Sequence, residues 1–170
     1  MSVFRVWAMS NKWTFEIKPI RDFLSKIIPP GGSGWADPFC GKSKICEYRS
    51  DLTEGLDAHD FFKNHKDNSL DGVLFDPPYS MEQVKRSYEK VGISCWQKRG
   101  NKNGGFPKVK DEIARVVKPG GRVVSFGWNS NGMGACRGFH IAGVLLIAHG
   151  GNKHDTIMTV EVKVGERNGS

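Results

Sequence analysis

The chain has 170 residues, 38% of them hydrophobic and 25% charged, and its 25 lysines and arginines outnumber 18 aspartates and glutamates for a formal net charge of +7. That length suits one domain with one core, the composition suits a soluble globular protein, and the basic balance attracts polyanions, with nucleic acid the first candidate partner. Four cysteines without a CxxC pair exclude a zinc knuckle and a redox dithiol, and no apolar run reaches the roughly 18 residues of a membrane span.

From the amino end, residues 16–28 carry Ile17, Ile20, Phe23, Leu24, Ile27 and Ile28 on one helical face. Pro19 suits the first turn of that helix, and Pro29-Pro30-Gly31-Gly32 ends it. A short strand over 34–36 runs into Asp37-Pro38-Phe39-Cys40-Gly41, and a second over 45–50 ends at Asp51. Residues 57–65 predict a helix with Ala58, Phe61 and Phe62 inward. Gly72-Val73-Leu74-Phe75 is a buried strand that stops at Asp76. Ser80 with Gln83 resembles a capping box for a helix running to about Lys90. Residues 94–106 have no period; they are basic and rich in Gly and Asn, and predict a mobile loop. Val109, Ile113, Val116 and Val117 mark the next helix, closed by a turn at Lys118-Pro119-Gly120-Gly121 before a strand over 122–126.

Two further strands, 141–148 and 157–164, are joined by residues 149–155, and the last alternates with Met158, Val160, Val162 and Val164 on one face. Strands and helices that alternate and then finish in a hairpin predict an α/β fold, its sheet mostly parallel with an antiparallel C-terminal strand. No linker divides the chain, so residues 1–170 read as a single domain with its core over about 10–165. There is no room for a separate target-recognition domain.

In an open parallel sheet, ligands bind at the carboxyl ends of the strands. Three polar clusters stand at such ends: residues 37–41, Asp51 with Asp57 nearby, and Asp76-Pro77-Pro78-Tyr79. All three should face one crevice. The amine of adenine or cytosine is conjugated with its ring and needs two acceptors on its N–H groups to turn the lone pair outward. The Asp76 carboxylate and the Pro77 carbonyl are natural acceptors. Pro77 and Pro78 limit backbone freedom and hold them in place. Tyr79 can stack on the base, which is worth about 1–3 kcal/mol and helps offset taking the base out of a duplex. The bland alternative is a turn after a buried strand, since Asp-Pro and Pro-Pro are common in turns.

Asp76-Pro77-Pro78-Tyr79 resembles the catalytic tetrapeptide of the S-adenosylmethionine-dependent amino-methyltransferases of nucleic acids, above all the small phage-type adenine methyltransferases. Asp37-Pro38-Phe39-Cys40-Gly41 is similar to that family's cofactor motif, and Thr14-Phe15-Glu16-Ile17-Lys18-Pro19-Ile20 to the segment before its first helix. The resemblance implies a Rossmann-like class I fold and S-adenosyl-L-methionine as cofactor. It also implies methyl transfer to the exocyclic N6 of adenine in DNA, and the lack of room for a target-recognition domain points to low or partner-supplied sequence specificity.

Asp37, Pro38, Phe39 and Gly41 would then hold the methionine part of the cofactor. Asp51 would bind the ribose hydroxyls, and Asp57 and Ala58 would flank its adenine. Ile17, Lys18, Pro19 and Ile20 would cover its carboxylate and sulfonium end. Glu47 is a rival for the ribose, and helix or turn capping is the other role open to Asp51 and Asp57.

The chain departs from the family in two places. Ser43 stands where the motif has its second glycine, and Asp51 follows Asp37 by 14 residues where about 20 are usual. The first crossover helix should therefore be shortened or lost.

Trp96, Lys98, Arg99, Lys102, Phe106 and Lys108, with Lys110, could grip a phosphate backbone and stack a base, or form a solvated loop. Trp128-Asn129-Ser130-Asn131 follows a strand end and could face the crevice or be a plain polar loop. Hairpin polarity explains His149 and His154, and no metal-ligand pattern is present. The scattered cysteines predict free thiols in a reducing compartment. With no signal-peptide layout at the start, they point to a cytoplasm, of a cell or of a phage-infected host. The expected partner is DNA, or RNA, with a second copy or a partner subunit supplying specificity. Two alternatives stand beside this reading: methylation of RNA adenine, cytosine N4 or a protein glutamine, and a catalytically silent nucleic-acid-binding subunit.

Overall fold

The apolar stripe near the amino end forms α1 (Lys18–Ile27) in the computed structural model, which describes residues 1–92 and 106–165. Pro19 stands in its first turn, where a missing N–H costs nothing, and Ile20 and Leu24 are buried. The next strands are β2 (Trp35–Asp37), β3 (Tyr48–Arg49) and β4 (Leu70–Phe75). Between β3 and β4 lies α2 (Ala58–Phe61), shorter than the helix predicted over 57–65 and continued by a 3-10 turn at Phe62–Asn64. Ser80 caps α3 (Met81–Lys90) by accepting from the Gln83 N–H at 3.2 Å. The Gln83 side chain returns to the Tyr79 N–H at 2.7 Å, so the reciprocal half of the capping box falls one residue early.

α4 (Pro107–Val116) buries Val109, Ile113 and Val116. β5 (Val117–Gly127), β6 (Phe139–Ala148) and β7 (Thr156–Lys163) complete the order. The turn expected at Lys118-Pro119-Gly120-Gly121 lies inside β5, as a bulge where pairing with β4 jumps from Leu70↔Val117 to Gly72↔Arg122.

One sheet holds seven strands, because β1 (Ser2–Trp7), which no sequence pattern announced, pairs in parallel with β6 from Ser2↔Gly143 to Trp7↔Ala148. The order is β1-β6-β7-β5-β4-β2-β3, and every neighbouring pair is parallel except those made by β7. The expected antiparallel last strand is thus observed. Side chains alternate across the sheet. Leu74, Val124, Phe126 and Met158 face α1 on one side, whereas Val73, Phe75 and Val123 face α2, α3 and α4 on the other. The α/β fold expected from the sequence pattern is thus present, with helices on both faces of the sheet.

β7 differs from its prediction on its second face. Thr159 and Glu161 are as buried as Met158, because β7 lies between two strands and both of its faces are covered. The Glu161 carboxylate accepts from the Met133 N–H at 2.7 Å and the Gly134 N–H at 3.2 Å, so it pins the connection that follows β5. Cys40, Cys46 and Cys136 are free thiols, as expected, and burial pushes the Cys40 thiol up to about 11. Among the described residues no helix is long and apolar enough to cross a membrane.

The β2–β4 contact depends on one glycine. Gly72 lies opposite Trp35, and a Cβ at position 72 would stand 2.7 Å from the indole ring. Gly72→Ala is expected to cost about 1–3 kcal/mol, the range for overpacking a closed core. It should lower the denaturant midpoint and shift the tryptophan fluorescence of the folded state. An unchanged midpoint would mean that the indole does not pack here.

Candidate active site at the carboxyl edge of the sheet

β4, β2 and β3 are adjacent and parallel, so Phe75-Asp76, Asp37 and Arg49-Ser50-Asp51 leave the sheet at the same edge. The convergence expected of the three strand ends is therefore present. Backbone bonds join two of them: Ser50 N–H donates to the Asp37 carbonyl and Cys40 N–H to the Ser50 carbonyl, each at 3.0 Å.

Asp37 is 1% exposed. Its Oδ1 accepts from the Phe39 N–H at 3.0 Å, while Oδ2 is buried without a hydrogen-bond partner among the described residues. Burial pushes this carboxyl up to about 8, and the neighbouring charges of Asp76 and Asp51 push the same way against the Phe39 N–H.

Gly41 takes φ 52° in the turn after β2, and its N–H donates to Asp51 Oδ2 at 3.1 Å. Asp51 Oδ1 accepts from the Thr53 N–H at 2.9 Å and the Thr53 hydroxyl at 2.5 Å. No helix stands between β2 and β3, so the first crossover helix is lost, as the short spacing implied. Ser43 serves a turn there, accepting from the Ile45 N–H at 3.3 Å. Glu47, the rival of Asp51, accepts from the Gly34 N–H at 2.8 Å. That bond holds it at the amino end of β2, away from the carboxyl edge.

Asp57 is a buried cap. Its Oδ1 accepts from the His59 N–H at 2.9 Å and lies 2.8 Å from His59 Nδ1, and its Oδ2 accepts from the Tyr88 hydroxyl at 2.6 Å. Burial pushes this carboxyl up, but the bonds from His59 and Tyr88 outweigh it and hold the group below the usual carboxylate range. Ala58 is buried beside it.

Asp76 and Tyr79 meet directly, the tyrosine hydroxyl donating to Asp76 Oδ1. The Thr14 hydroxyl reaches both of them. Burial raises the Asp76 carboxyl, with Tyr79 and Thr14 opposing it, and burial raises the Tyr79 phenol far above its ordinary value, helped by the Asp76 charge. Pro77 and Pro78 are half-buried, and among the described residues no donor reaches the Pro77 carbonyl.

The Tyr79 ring stands edge-on to Trp128 with centroids 5.7 Å apart, and Trp128 lies on His154 at 4.4 Å and 33°. Trp128 follows β5 and His154 lies in the β6–β7 hairpin. Trp128 therefore does face the crevice, and His154 is more than hairpin polarity. Sequence reasoning did not single out Trp13, gave Thr14 no role of its own within the segment 14–20, and gave His154 to hairpin polarity. Trp13 packs at Gly41, where a Cβ would meet its ring at 3.5 Å. Their place at the start of the segment that resembles a cofactor segment, Thr14 as its first residue and Trp13 just before it, was the signal for both.

Other expectations shift. Ile17 and Ile20 point into the α1 core, and Lys18 is exposed and pairs with Asp22 at 2.5 Å, so residues 13 and 14 reach the site where residues 17–20 were expected to. Phe106 does not stack in solvent. It is 3% exposed, its ring 5.1 Å from that of Phe39, which in turn lies 5.7 Å from Phe75. The reason is its place at the start of α4, where an apolar residue beside Val109 is drawn into the core. Lys108 is exposed in the first turn of α4, while the Lys110 ammonium is half-buried and donates to the Gly132 carbonyl at 2.5 Å. Trp96, Lys98, Arg99 and Lys102 lie outside the described residues.

The architecture is that of the Rossmann-like class I methyltransferases. The chain superposes on TrmN from Thermus thermophilus with a TM-score of 0.52 at 16% identity, covering 87% of this chain and 49% of that one. On a Sulfolobus solfataricus protein provisionally named a type 11 methyltransferase the TM-score is 0.50 at 16% identity, covering 88% of this chain and 95% of that one. This chain thus spans about half the length of TrmN. No protein-family profile and no curated protein sequence matches it.

The Asp37 environment has a pH signature. A carboxyl raised to about 8 in the folded protein, against about 3.9 in an unfolded chain, binds its proton more tightly when folded. It favours folding fully below the unfolded value, and that contribution is lost as pH rises through about 8. Asp37→Asn removes the titration. Melting temperatures of the two proteins should therefore diverge in favour of the variant as pH is raised from about 4 to about 8 and keep a constant gap above that. A gap that stays constant over that range as well would place the carboxylate in water.

Proposed function

We propose that the chain transfers a methyl group from S-adenosyl-L-methionine to the exocyclic N6 of adenine in DNA. The observation that carries this reading is the pairing of Asp37, whose buried Oδ2 lacks a partner, with the acceptor pair Asp76 and Pro77 on the neighbouring strand end. The first suits the cationic end of the cofactor. The second suits an amine with two N–H groups to satisfy.

The residues present fit the cofactor. Asp37, with Pro38, Phe39 and Gly41, would hold its methionine portion, because a buried unpartnered oxygen calls for a cation or donor. Asp51 is half-exposed at the same edge and would take the ribose hydroxyls while keeping its bond to Gly41. Ala58 and the backbone at Asp57 would flank the adenine, since the Asp57 carboxylate itself is turned inward. Trp13 and Thr14 would close the side that residues 17–20 were expected to cover. Bound S-adenosylmethionine supplies an electrophilic methyl group on a sulfonium.

On the nucleic-acid side, Asp76 and the Pro77 carbonyl accept the two N–H bonds of N6 and turn its lone pair out of the ring plane. Asp76 is a polarising acceptor, because the amine becomes acidic only once methylated. The Tyr79 hydroxyl occupies Asp76 Oδ1, so the arriving amine displaces it and the freed ring can lie on the base, backed by Trp128. Aspartate in the first position favours adenine, and the +7 charge favours a polyanion over a protein substrate.

The test is incubation with methyl-labelled cofactor and single-stranded DNA, duplex DNA or RNA, followed by digestion to nucleosides. Label should appear in N6-methyladenosine forms and be absent with Asp76→Ala. Label in N4-methylcytosine would change the base, and no label with any polymer despite cofactor binding would favour the silent subunit.

Tyr79→Phe, which keeps the ring and removes the competing hydroxyl, should retain kcat/KM. Tyr79→Ala should lose about 1–3 kcal/mol of stacking, roughly 5- to 150-fold. Equal loss in both variants would show that the hydroxyl, and not the ring, matters.

A further inference from the structure

We infer that the outer edge of β1 is where two copies of this chain join, strand to antiparallel strand, into a two-fold dimer with one continuous sheet. Every residue of β1 except Val6, which is half-buried, is exposed, and among the described residues its outer row of backbone groups has no strand beside it. Ten large hydrophobic side chains are exposed among the described residues, and five of them, Met1, Val3, Phe4, Trp7 and Met9, lie in the first nine positions. Exposed apolar surface is therefore concentrated on this edge.

Solvent-facing edges are normally protected by lysine, proline, bulges or brevity. The opposite edge, β3, has two residues and is protected by brevity. β1 has six residues in unbroken register, contains neither lysine nor proline, and is fixed in place at its far end. There Ala8 N–H donates to the Ala148 carbonyl at 3.0 Å, and His149 Nδ1 lies 2.9 Å from the Ala8 carbonyl.

The sheet behind this edge is also bare. Val3 and Trp7 share a face with Val144 and Leu146, which are half-buried because the connection from β5 to β6 contains only a 3-10 turn, Ala135–Arg137, and no helix to lie over them.

A second copy fits this edge better than other occupants. The strand offers a single charge, Arg5, which suits neither a phosphate backbone nor an acidic peptide. A two-fold axis normal to the sheet must pass through a pair of identical residues, because hydrogen-bonded and non-bonded pairs alternate along an antiparallel ladder. Centring on Arg5 would set like charges opposite each other. Centring on Phe4 stacks the two Phe4 rings, sets Val3 opposite the partner's Arg5, and sets Met1 opposite the partner's Trp7. That register avoids like-charge pairs and gains aromatic cross-strand contact. A stable interface takes about 800 Å² from each partner. Phe4 and Trp7, each with a side chain of about 150–250 Å² and each 64% exposed, begin to meet that need before Met1, Val3, Met9 and the backbone are added.

The test is sedimentation of the full, nuclease-treated chain at micromolar concentration in low and in high salt. The expected mass is twice the 18.9 kDa of one chain. The dimer fraction should rise with salt, because two copies of +7 repel and salt screens that repulsion. Phe4→Lys and, separately, Val3→Lys on the other face should each restore the single-chain mass with an unchanged circular dichroism spectrum. Either variant suffices if the other fails to fold. A single-chain mass for the wild type at every salt concentration, a dimer that survives both substitutions, or one that needs nucleic acid and weakens with salt would each overturn the inference.

Discussion

A buried carboxyl group needs partners for both of its oxygens, and Asp37 has a partner for only one among the described residues. That imbalance sits at the centre of the carboxyl edge, on β2, with Asp76 on one side and Asp51 on the other. Three acidic groups are thus held together in a chain whose net charge is positive. Their mutual repulsion is relieved because Asp37 keeps its proton up to about 8, while the other two accept hydrogen bonds, Asp51 from Gly41 and Thr53, and Asp76 from Tyr79. A cation arriving at Asp37 would take the place of that proton and leave the carboxylate paired. Such a site, beside acceptors with room for an amine, is suited to bring a cation and a nucleophile together.

Economy of chain length shapes the rest. A crossover between parallel strands usually needs about a dozen residues and a helix. Here β2 reaches β3, and β5 reaches β6, with no α-helix in the connection. Side-chain carboxylates hold these helix-free connections: Asp51 ties the Gly41 turn, Glu47 ties Gly34, and buried Glu161 ties Met133 and Gly134. Each accepts from backbone N–H groups that would otherwise lack a partner. The same economy leaves one face of β6 and β1, that of Val144 and Leu146, without a covering helix among the described residues, which concentrates the exposed apolar surface at one end of the sheet.

Much of the site was legible in the order of residues. An apolar run that stops at an acidic residue marks a strand end, and this located Asp37 and Asp76 and showed that they would share an edge. Capping chemistry located the starts of α1 and α3 through Pro19 and Ser80. β1 was not legible, because a largely exposed edge strand that sets only Val6 against the core has little reason to alternate, and its partner strand β6 is distant in the sequence. Phe106 was misread for a related reason. In a segment without a period, an aromatic ring gives no sign of whether it faces water or the core, and burial against Phe39 decided it. For Asp57, capping and ligand binding look the same in sequence, and only Tyr88, brought in from α3, shows which way the carboxylate turns.

The sequence by itself determined the alternation of strands and helices, the parallel sheet with its antiparallel finish, and the three acidic strand ends. Each of these follows from local periodicity and from turn and cap chemistry, which act over a few residues. Only the tertiary structure decided which polar groups are left over. That Asp37 Oδ2 is unpaired among the described residues, that Thr14 lies near Asp76, that Trp128 stands beside Tyr79 with His154 against it, and that β1 ends the sheet all depend on segments distant in the chain. Hydrogen-bond satisfaction and burial are properties of the assembled neighbourhood, and no window of sequence contains them.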